Sequence, residues 1–334
     1  MRKVTTGGVT TTVAGLTGGD GLADGSGAAA LFERPHGLCT DGTDLYVTDK
    51  MSHSVRKVVV ATGAVITIAG ANATGSSDGA GAVARFNQPF ACAADGAGKL
   101  YVSDSNNDTI RAIDLATGTV STLAGSAGKS GTTDATGAAA RFNDPAALAF
   151  GGGTLYVADM GNSTIRAIAL PSAAVTTLAG TGGATGSTDA TGTAARFNHP
   201  NGLALDGGNL YVADQANHTI RRVVVASGAV TTLAGTAGMP GAADGNGAAA
   251  RFFAPHALAT DGKGNLIVAD TLNDTVRQIA IATGAVSTIA GVAGLASVKL
   301  GSLPGVLNTP SGLVFVGGTL CVTTTHENAI LAIQ

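Results

Sequence analysis

The sequence consists of six copies of one unit at a nearly constant spacing. A five-residue motif, LYVTD in its first copy, begins at Leu45, Leu100, Leu155, Leu210, Leu266 and Leu320. The steps between successive copies are 55, 55, 55, 56 and 54 residues. One unit of this size cannot bury its own apolar face, so the units must stack against one another.

Each unit contains four short runs that are typical of β-strands. In the unit that begins at Asn201, these runs are NGLALD, LYVAD, TIRRVVV and AVTTLAG, and turn-forming residues separate them. The rest of the unit is a Gly-rich connector with an Ala-rich stretch long enough for one helical turn. Four-stranded units of this length are typical of a β-propeller. A solenoid, the alternative, usually has shorter repeats and polar caps at both ends.

The two ends of the chain complete one unit together. The last copy stops after its third run, and residues 9–15 have the sequence of a fourth run. The sequence therefore predicts an all-β, six-bladed propeller of four-stranded antiparallel blades, in which the N-terminal strand joins the C-terminal blade and closes the ring. We expect one domain over residues 1–334, with the last blade shared between 312–334 and 7–15.

Two segments compete for the third strand of that last blade. Residues 1–5 resemble the third run of the first copy, and residues 329–333 resemble it as well. We favour 329–333, because the second run at 320–324 directly precedes it and can form a hairpin with it.

The recurring pattern ARFNxP, LYVAD, xxNxTIRxI and TGxVTTLAG resembles the bacterial NHL repeat over essentially the whole chain. The resemblance implies a six-bladed propeller, and it favours an extracytoplasmic or secreted protein from which a signal peptide has been removed. It implies no single activity. Relatives include peptidyl-amidoglycolate lyases with a metal in the channel, lactonase-like hydrolases, RNA-binding modules and interaction scaffolds, so function has to be argued from the site.

Most charged residues recur with the repeat and are interpreted as framework. An Asp ends the second run in five copies, a second Asp lies in the connector, and an Arg lies on the third run. We expect ion pairs or Arg-to-backbone bonds that tie connector to blade. The spacing D-x-x-N after the second run predicts hydrogen bonding within a hairpin. Cys39, Cys92 and Cys321 have no metal-ligand spacing and are interpreted as small buried residues.

The histidines, in contrast, do not belong to the consensus of the repeat. In a propeller, the first strands line the channel, and the connectors and the second-to-third hairpins lie on one face. The sequence therefore predicts that all six histidines lie on that face. They are His36 and His256 at the start of first strands, His199 in a connector, and His53, His218 and His326 in hairpins.

The residue after the proline of each first strand is expected to line the channel mouth. Around the ring these residues are His36, Phe90, Ala146, Asn201, His256 and Ser311. All but Ala146 are candidate ligand-binding residues. His36 and His256, with His326 from the intervening blade, are candidate ligands for zinc or a similar divalent metal. Glu33 and Glu327 are expected near the same sector.

The leading hypothesis is a non-catalytic scaffold that binds a protein, glycan or small molecule on its loop face. No catalytic residue is assigned, since no GxSxG or Cys-His arrangement occurs. The alternative is a metal-dependent lyase or hydrolase with a histidine-lined channel site; the leading hypothesis needs no cofactor. A net charge of −3 argues against nucleic acid, and short apolar runs argue against a membrane span. We expect a monomer.

Overall fold

Six antiparallel sheets form the structure, a computed structural model that describes residues 9–297, 299–302 and 305–333. Each sheet is one blade of a β-propeller, which confirms the predicted fold class. The blades are numbered 1–6 in the order of their innermost strands. No helix in the described ranges has the length and apolar character needed to cross a bilayer.

Every blade has four main strands, ordered from the channel outwards. From blade 1 to blade 6, the innermost strands are Pro35–Thr40, Pro89–Ala94, Pro145–Gly151, Pro200–Asp206, Pro255–Thr260 and Pro310–Val316. The second strands are Leu45–Asp49, Lys99–Asp104, Thr154–Asp159, Asn209–Asp214, Asn265–Asp270 and Thr319–Thr324. The third strands are Ser54–Val59, Thr109–Asp114, Thr164–Ala169, Thr219–Val224, Thr275–Ala280 and Ala329–Ile333. The fourth strands are Ala64–Gly70, Thr119–Gly125, Ala174–Ala179, Ala229–Ala234, Ala285–Ala290 and Val9–Ala14.

Both ends of the chain meet in blade 6. Ala329–Ile333 pairs with Thr319–Thr324 on one side and with Val9–Ala14 on the other, both antiparallel. Residues 329–333 therefore hold the third place, as expected from the sequence. The competing segment 1–5 lies outside the described residues.

The connectors add a feature that was not predicted from the sequence. Each connector runs along the outer edge of the blade that follows it, and in four blades it forms a short fifth strand there. These edge strands are Gly25–Ser26, Gly79–Ala80, Gly245–Asn246 and Gly301–Ser302. The Ala-rich stretches form the expected single turns, which are 3-10 helices at Gly27–Ala29, Gly81–Val83, Gly137–Ala139, Gly192–Ala194 and Gly247–Ala249. The connectors thus cover backbone groups that an outermost strand would expose.

The core lies between neighbouring blades, so both faces of each sheet are buried. On the second strand of blade 1, Leu45 and Val47 pack towards blade 6, and Tyr46 packs towards blade 2. This two-sided burial explains why the motif LYVAD is a continuous apolar run rather than an alternation of apolar and polar residues.

A buried guanidinium links three parts of each of blades 1–5. In blade 2, Arg111 donates to Asp104 at 2.8 Å and to the connector residue Asp78 at 2.6 Å. Asp78 also accepts from the N–H and the hydroxyl of Thr122 on the fourth strand. The guanidinium carbon lies 5.1 Å from the centre of the Phe86 ring. The expected ties between connector and blade are therefore present. The equivalent arginines are Arg56, Arg166, Arg221 and Arg277.

The aspartate at the end of the second strand is buried beside this arginine. Burial raises the pKa of Asp104 to about 6, and donors from Asn87, Asn107 and Arg111 oppose the rise. The carboxylate is therefore ionised at neutral pH. The side-chain amide of Asn107 donates to Asp104 at 2.7 Å, which confirms the hairpin interpretation of D-x-x-N.

The described residues of blade 6 do not form this cluster. Leu331 takes the place of the arginine, opposite Thr12, and Thr324 ends the second strand in place of the aspartate. Leu300 precedes the edge strand where blade 2 has Asp78, and Leu307 replaces the phenylalanine. All four members are exchanged together, which leaves no buried charge without a partner.

All three cysteines are buried as expected, but the interpretation that none has a redox role is wrong for two of them. Cys39 and Cys92 form a disulfide between the innermost strands of blades 1 and 2, with Cα atoms 5.7 Å apart. Cys321 is a free, buried thiol. The two half-cystines occupy different positions of their strands, fifth in blade 1 and fourth in blade 2.

Blade 6 provides a template for testing the charged cluster. Arg111→Leu alone should lower the free energy of unfolding by ~3–5 kcal/mol, because it leaves the Asp104 carboxylate buried and unpaired. When Arg111→Leu is combined with Asp78→Leu, Phe86→Leu and Asp104→Thr, as in blade 6, the free energy of unfolding should fall by less than in the single variant. Denaturant unfolding measures both variants. A combined variant as unstable as the single one would contradict this role of the cluster.

The disulfide predicts the thiol content of the protein. Denatured protein should show one reactive thiol without reductant and three with it. Replacing both Cys39 and Cys92 by Ala should lower the free energy of unfolding by ~2–4 kcal/mol, since the bond constrains the unfolded chain. Cys321→Ala serves as the control and should leave the thiol count at zero before reduction. Three thiols without reductant would contradict the pairing.

Candidate functional site

The six innermost strands begin at one mouth of the central channel. Each begins with a proline, and in blade 3 the next residue, Ala146, is fully buried in the core between blades. A cavity of about 60 Å³ lies at this mouth. Five of the six predicted mouth residues line it, namely His36, Phe90, Asn201, His256 and Ser311.

Two histidines and a phenylalanine form a cluster across the mouth. The ring centres of His36 and Phe90 lie 3.9 Å apart, and those of His36 and His256 lie 4.7 Å apart. Phe90 stacks on His256 at 5.5 Å. The ammonium of Lys50 lies 4.9 Å from the centre of the Phe90 ring. Sequence reasoning missed Lys50, although its position directly after the last residue of the second strand of blade 1 places it at the mouth.

Backbone carbonyls fix the orientation of both imidazoles. Nδ1 of His36 donates to the carbonyl of Phe90 at 3.0 Å, and Nδ1 of His256 donates to the carbonyl of Ser311 at 2.9 Å. A carbonyl can only accept, so Nδ1 carries the proton and Nε2 keeps its lone pair. In both cases the acceptor belongs to the next blade. Each histidine therefore joins two blades and retains one free acceptor.

Both imidazoles are neutral at physiological pH. Burial holds the pKa of His36 well below its usual value, and His256 and Lys50 depress it further. Burial lowers the pKa of His256 to about 4, with a further contribution from Lys50, although the bond to Ser311 opposes the shift. A neutral imidazole with its Nδ1–H bonded to a carbonyl is the form that binds metal ions or accepts hydrogen bonds through Nε2.

The other two polar mouth residues differ in how firmly they are held. The amide nitrogen of Asn201 makes long contacts with Gln215 at 3.4 Å and with the sulfur of Met160 at 3.6 Å. The hydroxyl of Ser311 lies within hydrogen-bond distance of Thr323 and Thr325 on its own blade. Asn201 is therefore the more available of the two for a ligand.

His326 lies apart from the histidine pair. It is exposed on the hairpin of blade 6, and its Nδ1 lies 2.5 Å from the hydroxyl of Thr309. Glu327 on the same hairpin accepts from Asn308 at 2.7 Å. The described residues bring no three His, Cys, Asp or Glu side chains together as a potential metal site.

His53 and His218 serve the framework, although neither belongs to the consensus of the repeat. Each lies four residues after the end of a second strand, in left-handed conformation, and its Nδ1 accepts from a backbone N–H before the proline of the next blade. The other blades place a different acceptor there. The six residues are His53, Asp108, Ser163, His218, Asp274 and Asn328. The signal in the sequence is an acceptor side chain at this position in every copy.

The hydrogen bonds predict one tautomer for His36 and His256 and the other for His53 and His218. Long-range proton–nitrogen NMR spectra at neutral pH should show Nδ1–H for His36 and His256, and Nε2–H for His53 and His218. On acidification, His256 should stay neutral until about pH 4. Because its folded pKa is below that of the unfolded chain, its contribution to stability is complete above about pH 6.5 and is lost as the pH falls towards 4. One shared tautomer, or protonation of His256 near pH 6.5, would contradict the geometry.

Comparison with known proteins finds a matching repeat family and several relatives of the chain. The NHL repeat matches residues 197–223, which run from the end of a connector into the third strand of blade 4. The chain is 30% identical to Protein SUPPRESSOR OF QUENCHING 1, chloroplastic, of Arabidopsis thaliana over 82% of its own length and 28% of that protein. It is 28% identical to human NHL repeat-containing protein 2 over 80% of its own length and 42% of that protein. The chain thus spans less than half the length of these curated relatives.

Solved structures share the propeller fold. An auxiliary nutrient binding protein from Bacteroides thetaiotaomicron superposes with a TM-score of 0.74 at 16% identity, covering 98% of this chain and 76% of that protein. At this identity the likeness concerns the fold alone. The matched repeat, the relatives and the six blades agree with one another, and the chain is a six-bladed β-propeller of the NHL-repeat family.

Proposed function

We propose that this propeller is a binding scaffold that holds its partner on the loop face, around the channel mouth. One observation carries the proposal. The buried charged cluster is the same in five blades, whereas the mouth position differs between most blades: His, Phe, Ala, Asn, His and Ser. Repeated residues maintain the blades, so the varied position is free to serve recognition.

The size of the mouth limits what can enter it. A cavity of about 60 Å³ is well below the roughly 300–1,000 Å³ of sites that enclose an organic ligand. We infer that the partner rests on the surrounding loops and inserts only a small group. The Asn201 amide and the two free Nε2 atoms offer hydrogen bonds, and Lys50 offers a positive charge. A protein, a glycan or a small molecule with an exposed polar end meets these requirements.

The disulfide supports a location outside the reducing cytosol. Bonds of this kind persist in oxidising compartments and are rare in the cytosol. We therefore propose that the protein acts in an extracytoplasmic or secreted setting, as a monomer.

Methionine methyl groups report on binding at this face. Met160 touches Asn201 at the mouth, and Met51 lies in the hairpin of blade 1. Protein labelled at its methionine methyl carbons should show saturable shifts at Met160 when maltose, cellobiose or short acetylated peptides are added. Asn201→Ala should weaken that binding about five- to tenfold through the loss of a hydrogen bond.

The control is Lys263→Ala, an exposed change in the turn between the innermost and second strands of blade 5, far from the mouth. It should leave the affinity unchanged. Probes that never shift Met160, or that bind Asn201→Ala as tightly as the native protein, would contradict the proposed site.

A metal-dependent lyase or hydrolase is the second candidate. The observation in its favour is the pair of neutral imidazoles, His36 and His256, oriented by backbone carbonyls as metal-binding histidines usually are. These two side chains would supply two ligands, whereas His326, the third ligand expected from the sequence, lies apart from them on the hairpin of blade 6. A bound divalent ion would act as a Lewis acid on a substrate carbonyl.

Calorimetric titration with zinc chloride tests this candidate. Chelator-treated protein should bind one equivalent, and binding should be lost in His36→Ala and in His256→Ala. His199→Ala is the matched control, since His199 lies in a connector and bonds Asn198. Absence of stoichiometric zinc binding would end the metal hypothesis without affecting the scaffold proposal.

A further inference from the structure

Three large apolar side chains form an exposed patch on the loop face at blade 5. Met239 is 49% exposed, Phe253 is 37% exposed and Leu272 is 51% exposed. We call these three residues the blade 5 patch. Buried apolar side chains drive folding, but exposed ones in a cluster commonly mark an interaction site.

Hydrogen bonds place the three side chains around one hairpin. The N–H of Leu272 donates to the carbonyl of Phe253 at 3.1 Å. The amide of Asn273 donates to the carbonyl of Gly241 at 2.7 Å, which holds the connector that carries Met239 against the same hairpin. The ring of His218 meets the Phe253 ring edge to face at 5.6 Å. The connector and the hairpin that carry the three side chains are therefore held together, and His218 packs against the Phe253 ring.

The other five blades show that folding does not require this patch. Where blade 5 has Phe253, the other blades have a polar side chain, Glu33, Asn87, Asn143, Asn198 and Asn308. Where blade 5 has Leu272, they have Met51, Asn106, Gly161, Ala216 and His326. No other blade is apolar at both positions, so the patch is specific to blade 5.

A positive charge borders the patch. The guanidinium of Arg251 donates to the carbonyls of Ala248 and Ala250 at 2.6 and 2.7 Å, and it lies 3.9 Å from the sulfur of Met239. Among the described residues, no carboxylate lies within ion-pair distance of it. His218 contributes no charge at neutral pH, because burial lowers its pKa. The patch thus combines an apolar surface with one uncompensated cation.

We propose that the blade 5 patch binds a segment of a partner protein in which a large apolar side chain is flanked by acidic residues. The apolar side chain would cover Phe253 and Leu272, and a carboxylate would pair with Arg251. Met and Phe are enriched where protein interfaces are fully buried, and the geometry of a guanidinium matches that of a carboxylate, the anionic group that protein side chains supply. This inference rests on the proposed function, since it names the partner class of the same loop face.

Acetylated peptides with a Gly-Ser background test the proposal. One contains Asp-Leu-Asp, a second Lys-Leu-Lys and a third Asp-Ala-Asp. With methionine methyl labelling, the first peptide should shift Met239 saturably and leave Met51 and Met160 unchanged. The other two peptides should bind at least about tenfold more weakly, because the lysine peptide lacks the carboxylates and the alanine peptide lacks the large apolar side chain.

Variants that copy other blades keep the fold intact. Phe253→Asn and Leu272→Asn introduce residues found at these positions elsewhere in the ring, so they should fold normally and weaken the Asp-Leu-Asp peptide about tenfold or more. Val83→Asn, an equally drastic change at a 67% exposed site on a connector, is the matched control and should have no effect.

Several results would overturn the proposal. No shift at Met239, or equal binding of the lysine peptide, would exclude the acidic apolar segment. Shifts at Met239 that depend on protein concentration without peptide would identify a second copy as the occupant. Shifts at Met160 without shifts at Met239 would refute the patch but keep the mouth as a binding site, so the two proposals fail separately.

Discussion

The buried arginine of the third strand is the interaction on which the architecture depends. In each of five blades its guanidinium joins the end of the second strand, the connector and, through the connector aspartate, the fourth strand. The connector is thereby fixed along the outer edge of the sheet, where it covers backbone groups that would otherwise be exposed. The same connector delivers the chain to the channel mouth. The charged cluster therefore helps to hold the candidate site in place, although none of its residues lines the mouth.

Different side chains at one position can serve the same purpose in this ring. Histidine, aspartate, serine and asparagine all occur at the left-handed hairpin position, and all accept a bond from the next blade. Variation of the residue type at this position leaves its role as a hydrogen-bond acceptor unchanged. At the mouth, by contrast, the residues that line the cavity differ in chemistry, from imidazole and phenyl rings to an amide and a hydroxyl. The proposed recognition would use positions where the chemistry varies, and the residue types alone do not reveal which positions these are.

The fold could be predicted from the sequence because the period, the strand runs and the split last unit are all local patterns. The mouth residues followed from one proline in each copy. The role of His53 could not be predicted, since its bond to Gln88 joins different copies and the equivalent residues differ in type. The disulfide could not be predicted because Cys39 and Cys92 occupy non-equivalent positions of the repeat. The blade 5 patch combines two parts of one connector with a hairpin, which only the folded chain brings together.

Hydrogen exchange at single amides tests the role of the charged cluster most directly. The N–H groups of five fourth-strand threonines donate to connector aspartates at 2.9–3.2 Å; they are Thr67, Thr122, Thr177, Thr232 and Thr288. Thr12 holds the equivalent place in blade 6, where Leu300 replaces the aspartate. Under native conditions the five amides should exchange much more slowly than that of Thr12. Equal exchange at all six would contradict the view that the cluster secures the blades.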